Sequence, residues 1–255
     1  MITKVYKAQF KESLIPLGFR LSKNTFFKVV NDVIQTIMLT KDRYDCSIGF
    51  DIMPLSLGIS HLDVDGNNIS QFREGLLKGW DWKFEPMELY YEKGHIVFND
   101  GSVEDIVKNM LSIVESKVLP IFERAINCKS ALAEQEKHEI EVFGKIMFTE
   151  VNQYTYLTYL KLGEYEKASA FLARRIAQSE ESIAHNVRNR EEGGIFFGMG
   201  ESAEEYRDVA QKRLQGKKDE LVKLAIPDVK YFQKIIADGE KTTLEFLGSL
   251  GRKRK

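Results

Sequence analysis

The 255-residue sequence has few cysteines, few prolines and almost no net charge. Its two cysteines, Cys46 and Cys128, make no disulfide framework, which favours a reducing cytoplasm. A formal net charge of -1 gives no overall field that would draw the protein to nucleic acid or to an anionic membrane. With only 5 prolines and 43% hydrophobic residues, the composition is that of a folded globular protein rather than a disordered chain.

Long apolar runs are also missing from the sequence. No uninterrupted run approaches the ~18 residues that a membrane-spanning helix needs. The first residues, Met1-Ile2-Thr3-Lys4, lack the apolar core of a secretory signal. We therefore expect a cytoplasmic protein that does not enter a membrane.

The clearest local pattern that the sequence does contain is a β-meander between Gly18 and Ile52. Two apolar stretches flank Asn31-Asp32, and Asn and Asp tolerate the positive φ angles of a two-residue hairpin turn. The register that follows pairs Val30 with Val33, Lys28 with Gln35 and Phe26 with Ile37. A third stretch, 44–52, alternates apolar and polar residues, which is typical of a half-buried strand.

An amphipathic helix is predicted over residues 2–16 and is ended by Pro16-Leu17-Gly18. We expect it to cover the more apolar face of the meander, which carries Phe27, Val29, Ile34 and Met38. Residues 59–64 and 88–98 are candidates for further strands, the latter divided by a turn at Lys93-Gly94.

Helical patterns dominate the remainder of the chain. Ser102 and Asp105 form a capping box for a helix that Pro120 should kink or end one turn early. Further helices are predicted at 129–149, 151–162, 164–189, 202–224 and 227–249, with a linker at 190–200. The predicted fold class is α+β: an N-terminal helix on an antiparallel meander, followed by an all-α region. The expected domains are residues 1–127 and 128–255.

The segment from Tyr159 to Ala168 resembles the middle of a tetratricopeptide repeat. A Leu-Gly turn there joins two helices, with a Tyr and an Ala that would allow close packing. Because only one such unit is present and no period recurs, an ordinary helical hairpin with a glycine turn is the favoured interpretation.

The first half also carries a family resemblance. It depends on Leu14-Ile15-Pro16-Leu17-Gly18-Phe19, Asn24-Thr25-Phe26-Phe27-Lys28, Val33-Ile34-Gln35 and Ile48-Gly49-Phe50. Over residues 5–125 the chain resembles the bacterial domain of unknown function 4304. The resemblance implies a small α+β domain and brings no known catalytic residues. Some small bacterial domains of this general kind bind partner proteins or neutralise toxins, which is an analogy at the level of the fold.

Motifs for metal or nucleotide binding are incomplete. Residues 63–74 have part of the spacing of a calcium loop, but Asn68 stands where such a loop needs Gly, so a plain turn is favoured. The glycine-rich stretch 193–200 follows no predicted strand and is not followed by Gly-Lys-Ser/Thr, which favours an interhelical loop over a phosphate loop. Neither the histidines nor the cysteines have ligand spacing. We expect no metal and no cofactor.

Large apolar side chains in polar surroundings are the best candidates for a partner site. The predicted partner-binding residues are Trp80, Trp82, Phe196, Phe197 and Met199. In the alternative interpretation, the tryptophans fill the seam between the sheet and the helices, and Phe196 and Phe197 pack into the core.

The sequence therefore predicts a non-enzymatic cytoplasmic protein-binding module, with a regulatory or toxin-neutralising role. We expect a protein partner and no nucleic acid, and the sequence leaves a homo-oligomer open. The alternative is an enzyme that acts on a small molecule or nucleotide in the cleft between sheet and helices. Its candidate acidic residues are Asp45, Asp51, Asp63 and Asp65.

Overall fold

A computed structural model describes residues 2–41, 46–57, 77–78, 91–92, 95–96, 102–146, 153–192 and 202–250. The chain divides into two compact units. The first unit is residues 1–162 together with 234–255, and the second is residues 163–233. The predicted boundary after residue 127 falls inside the first unit, and the independent folding of residues 1–127 stays a prediction.

The predicted fold class is confirmed: an N-terminal helix, an antiparallel sheet and a helical C-terminal half. The described helices are α1 (Ile2–Leu14), α2 (Val103–Ile113), α3 (Leu119–Arg124), α4 (Cys128–Phe143), α5 (Gln153–Lys161), α6 (Tyr165–Glu191), α7 (Ala203–Ala225) and α8 (Val229–Ser249). The described strands are β1 (Arg20–Ser22), β2 (Thr25–Val30), β3 (Val33–Lys41), β4 (Cys46–Pro54), β5 (Leu77–Lys78), β6 (Tyr91–Glu92) and β7 (His95–Ile96).

The meander has the predicted register. Its strands lie in the order β1-β2-β3-β4-β5 and are antiparallel, with Val30 opposite Val33 and Phe26 opposite Ile37. Asn31 adopts a φ of 49° in the β2–β3 turn, which its short polar side chain tolerates. The hairpin predicted within 88–98 is present as β6 and β7. The strand predicted at 59–64 lies outside the described residues.

The face of the meander that α1 covers was predicted wrongly. The helix packs on the face of Phe26 and Ile37, where the Tyr6 and Phe10 rings lie 5.7 and 6.1 Å from the Phe26 ring. This face tolerates the polar Gln35 because its side-chain nitrogen donates to backbone carbonyls at the end of α3. The face of the meander that α1 covers therefore depends on whether its polar side chains are hydrogen-bonded, and not only on the number of its apolar residues.

The prediction that strand β4 is half-buried is also wrong. Asp51, on the face turned away from α1, is 1% exposed, and the neighbouring Met53 is fully buried. Helices α4 and α5 contact β4, and both belong to the first compact unit. The sheet therefore has helices against β4 in addition to those on the Phe26 face.

Most helix boundaries lie within about two residues of the predicted ones, but α4 ends at Phe143 and not at residue 149, because Gly144 adopts a left-handed φ of 70° that ends the helix. A π-helical turn, Val114–Val118, connects α2 to α3, so the chain stays helical through Pro120. Pro120 lies in the first turn of α3, where a helix can accommodate a residue that has no backbone N–H. The capping box at Ser202 is formed, with the Glu205 amide 3.1 Å from the Ser202 hydroxyl. Helix α6 continues to Glu191, so the predicted linker begins later than residue 190. None of the described helices is long and apolar enough to cross a membrane.

Candidate functional site

The sequence-predicted partner residues fall in segments that the structure does not describe. Trp80, Trp82, Phe196, Phe197 and Met199 all lie outside the described residues, so their role stays a prediction. Of the acidic candidates for an enzyme, the same holds for Asp45, Asp63 and Asp65. Asp51 is described, and it lies buried on β4.

A different surface stands out in the second compact unit, between helices α6 and α7. The two helices run antiparallel, and one side of the pair encloses a groove of about 700 Å³. We call it the cationic groove. Its lining includes Arg175, Ser179, Ser182, Asn186 and Arg190 from α6 and Tyr206, Ala210, Arg213 and Lys217 from α7. These positions recur every three or four residues, which places them on one face of each helix.

The charge of this groove is one-sided. Four of its lining residues are cations, Arg175, Arg190, Arg213 and Lys217, and none of the described lining residues is acidic. The groove therefore has only positive charge among its described lining residues. Neighbouring like charges repel one another, and an anion bound between them relieves that repulsion.

The opposite side of the same helix pair is built differently. A second groove of about 620 Å³ lies there, and four of its charged lining residues form ion pairs across the two helices. The Lys218 ammonium lies 2.7 Å from the Glu180 carboxylate, and the Arg207 guanidinium lies 2.9 Å from that of Glu191. Ion pairs therefore link α6 to α7 on this side, whereas in the cationic groove Lys217 contacts Ser179 and Arg190 contacts Tyr206 across the two helices.

One end of the cationic groove is closed by side-chain contacts. The guanidinium carbon of Arg190 lies 3.9 Å from the centroid of the Tyr206 ring. The Tyr206 hydroxyl accepts a hydrogen bond of 2.9 Å from the Asn186 amide. These contacts fix the positions of Arg190 and Tyr206 before any ligand binds.

The other end, which we call the open end after its exposed Arg213, holds the remaining cations Arg175, Arg213 and Lys217. The Lys217 ammonium donates to the Ser179 hydroxyl at 3.3 Å, and that hydroxyl in turn donates to the Arg175 carbonyl at 2.7 Å. Burial lowers the pKa of Lys217, and the charge of Arg175 lowers it further. Arg213, on the same face of α7, is exposed. This open end therefore offers guanidinium and ammonium groups that lack a described carboxylate neighbour within the groove.

A second candidate is a buried polar layer in the first compact unit, where β4, the turn Leu55–Leu57, α4 and α5 contact one another. Glu139 is 0% exposed and accepts a 2.5 Å hydrogen bond from the Gln135 amide. The hydroxyls of Ser56, Thr155 and Thr158 are buried and have no hydrogen-bond partner among the described residues. A buried polar group without a hydrogen-bond partner requires an explanation, such as a bound water or ion or a catalytic role.

Cys128 is held in a structural contact rather than a reactive one. Its amide donates to the Asp32 carboxylate at 2.8 Å, and its thiol donates to the Asp32 carbonyl at 3.4 Å. Burial raises the pKa of the Cys128 thiol, and the charge of Asp32 raises it further. Because the thiolate is the nucleophile, a thiol held in the protonated form is a poor candidate for catalysis.

Within the described ranges, no group of three or more His, Cys, Asp or Glu side chains could hold a metal ion. Sequence reasoning missed the cationic groove, although Arg175, Ser179 and Ser182 follow a helical spacing in α6 and Arg213 and Lys217 lie one turn apart in α7. The spacing within each helix does not reveal which face of α6 packs against which face of α7. No protein-family model, no curated protein and no solved structure matches this chain.

Proposed function

We propose that this chain is a non-enzymatic, cytoplasmic protein-binding module and that the cationic groove is its contact surface. The observation that carries the proposal is the contrast between the two sides of the α6–α7 pair. One side pairs its charges across the helices, whereas the other collects four cations without an acidic lining residue. Grooves between helices are a common docking site for a segment of a partner protein.

The proposal includes a regulatory or toxin-neutralising role and membership of the bacterial family named above for residues 5–125. For the non-enzymatic part of the proposal, burial raises the pKa of the Cys128 thiol, and a protonated thiol is a poor nucleophile. The two-cysteine content suits a reducing compartment.

The test uses a photo-cross-linking amino acid in the intact chain. Val209 lines the cationic groove and is 43% exposed, whereas Val222 lies on the same helix outside both grooves and is 73% exposed. A cross-linker at Val209 should capture a defined protein that the Val222 control does not capture, and the purified pair should bind in a calorimeter. If no protein captured by the cross-linker at either position binds the chain after purification, the module proposal is wrong.

The alternative function, an enzyme for a small polar molecule, is favoured by the buried polar layer. Glu139 would be its acid–base candidate, because it is fully buried and oriented by Gln135. Incubating the purified protein with a metabolite extract and following depletion by mass spectrometry tests this. Turnover that a Glu139→Gln variant abolishes without loss of helical signal would favour the enzyme over the module.

A further inference from the structure

We propose that the cationic groove recognises an acidic segment of the partner protein, whose carboxylate or phosphoryl oxygens bind Arg175, Arg213 and Lys217 at the open end. This inference rests on the proposed function and specifies the chemistry of its partner. The side chains of these three cations bind the anion. Arg190 and Tyr206, which are already in contact at the closed end, mark where the bound segment stops.

The length of the groove sets the length of the segment. Arg175 and Arg190 are fifteen positions apart on α6, which corresponds to about 22 Å at a helical rise of ~1.5 Å per residue. A partner segment of about four helical turns fits alongside. Acidic side chains one turn apart on such a segment would face Arg213 and Lys217, which lie one turn apart on α7.

The chemistry of the open end suits oxyanions. Arginine presents a planar fork that binds a carboxylate or phosphoryl group through two parallel hydrogen bonds. Lys217 adds a point charge, and its contact with Ser179 holds the ammonium at the groove wall. A bound anion would offset the repulsion between Lys217 and Arg175 that now lowers the pKa of Lys217.

The lining favours a peptide over nucleic acid. Single-stranded nucleic acid is usually held by exposed aromatic faces on which bases stack. The one aromatic residue among the described lining residues, Tyr206, has a ring face covered by the Arg190 guanidinium. Apolar side chains of Ile183, Val209 and Leu214 also line the groove, and they would pack against the apolar side chains of a peptide.

The experiment measures binding of labelled probes to the full chain by fluorescence anisotropy. The first probe is an alanine-based helical peptide of about four turns with glutamate at every fourth position. The second carries phosphoserine at those positions, the third carries glutamine, and the fourth is a single-stranded oligonucleotide of equal charge. We expect both acidic peptides to bind and the glutamine peptide not to bind. The acidic peptide that binds more tightly shows whether the groove prefers a carboxylate or a phosphoryl group.

Charge reversal at neighbouring positions supplies the matched control. Arg175→Glu/Arg213→Glu reverses two groove cations, whereas Arg174→Glu/Lys212→Glu makes the same change of charge at exposed residues that line neither groove. We expect the groove variant to bind the acidic peptide at least ~10-fold more weakly and the control to stay within about twofold of wild type. Circular dichroism of both variants checks that the helices persist.

Several results would overturn the inference. These are equal loss in the two variants, equal binding of the glutamine peptide, or tighter binding of the oligonucleotide than of either acidic peptide. A protein captured at Val209 that still binds the groove variant would leave the module proposal standing and remove the acidic-segment inference alone. Absence of any bound protein would remove the module proposal instead.

Discussion

The ammonium of Lys217 on α7 lies 3.3 Å from the hydroxyl of Ser179 on α6. The charged group that shifts the pKa of Lys217 in this groove is another cation, Arg175. Burial lowers the pKa of Lys217, and so does Arg175, so the protonated ammonium is less favourable in the fold than in the unfolded chain. This cost is present at neutral pH and disappears as pH rises above the ordinary value of 10.5.

The first prediction follows from that sign. Lys217→Met keeps an apolar stem in the groove and removes the charge, so the melting temperature at neutral pH should stay the same or rise. Binding of the acidic peptide should weaken in the same variant. Lys212→Met, at an exposed position outside both grooves, is the control for both measurements. A lower melting temperature for Lys217→Met alone would show that the residue stabilises the helix pair.

The second prediction concerns the closed end of the groove. Asn186→Ala and Tyr206→Phe each remove the 2.9 Å hydrogen bond between α6 and α7. Each should lower the free energy of unfolding by about 0.5–1.5 kcal/mol. Because both changes remove the same bond, the double variant should lose less than the sum of the two in urea denaturation. Strict additivity would contradict the assigned contact.

The third prediction concerns the sheet. The buried Gln35 side chain donates to the carbonyls of Phe122 at 2.7 Å and Ala125 at 3.3 Å, next to the end of α3. Gln35→Leu should reduce the free energy of unfolding by about 1–3 kcal/mol, because it leaves buried carbonyls without these donors. The control is Gln9→Ala, which removes an exposed bond of 3.3 Å to the Glu104 carbonyl and should cost less. If the two variants lose the same free energy of unfolding in chemical denaturation, the hydrogen bonds of Gln35 to these carbonyls do not have the expected stabilising effect.

The fourth prediction is a loss of stability at alkaline pH. Burial raises the pKa of Cys128 above its ordinary 9.0. Burial opposes the shift at Lys161, but the hydrogen bond and charge of Glu240, together with the charges of Asp32 and Cys128, raise its pKa above 10.5. In both cases the folded protein binds more protons than the unfolded chain, so stability is full below these ordinary values and falls as pH rises past them.

Variants separate the two contributions. Melting temperatures should decline from about pH 9 in wild type. Cys128→Ala should remove the part of the decline that begins near pH 9, and Lys161→Met should make the decline above pH 10.5 shallower. An unchanged profile in both variants would show that neither group controls the alkaline transition.

Local sequence signals were enough for most of the secondary structure. Asn31 tolerates its positive φ and sets the β2–β3 register, and the Ser102 and Ser202 capping boxes start α2 and α7. These features depend on contacts within a few residues along the chain. The same local signals could not show which face of the meander α1 covers, because Gln35 finds its partners some 87 and 90 positions away, at Phe122 and Ala125.

The sequence alone determined the fold class, the hairpin register and most of the helix boundaries, because backbone preferences and hydrophobic periodicity are local properties. Only the tertiary structure decided that Asp51 is buried and that Arg175 and Lys217 share one groove. A helix pattern places Arg175 on one face of α6, but the rotation of α7 against it depends on how the two surfaces pack. The candidate site is a product of that packing, and so it could not be predicted from spacing within either helix.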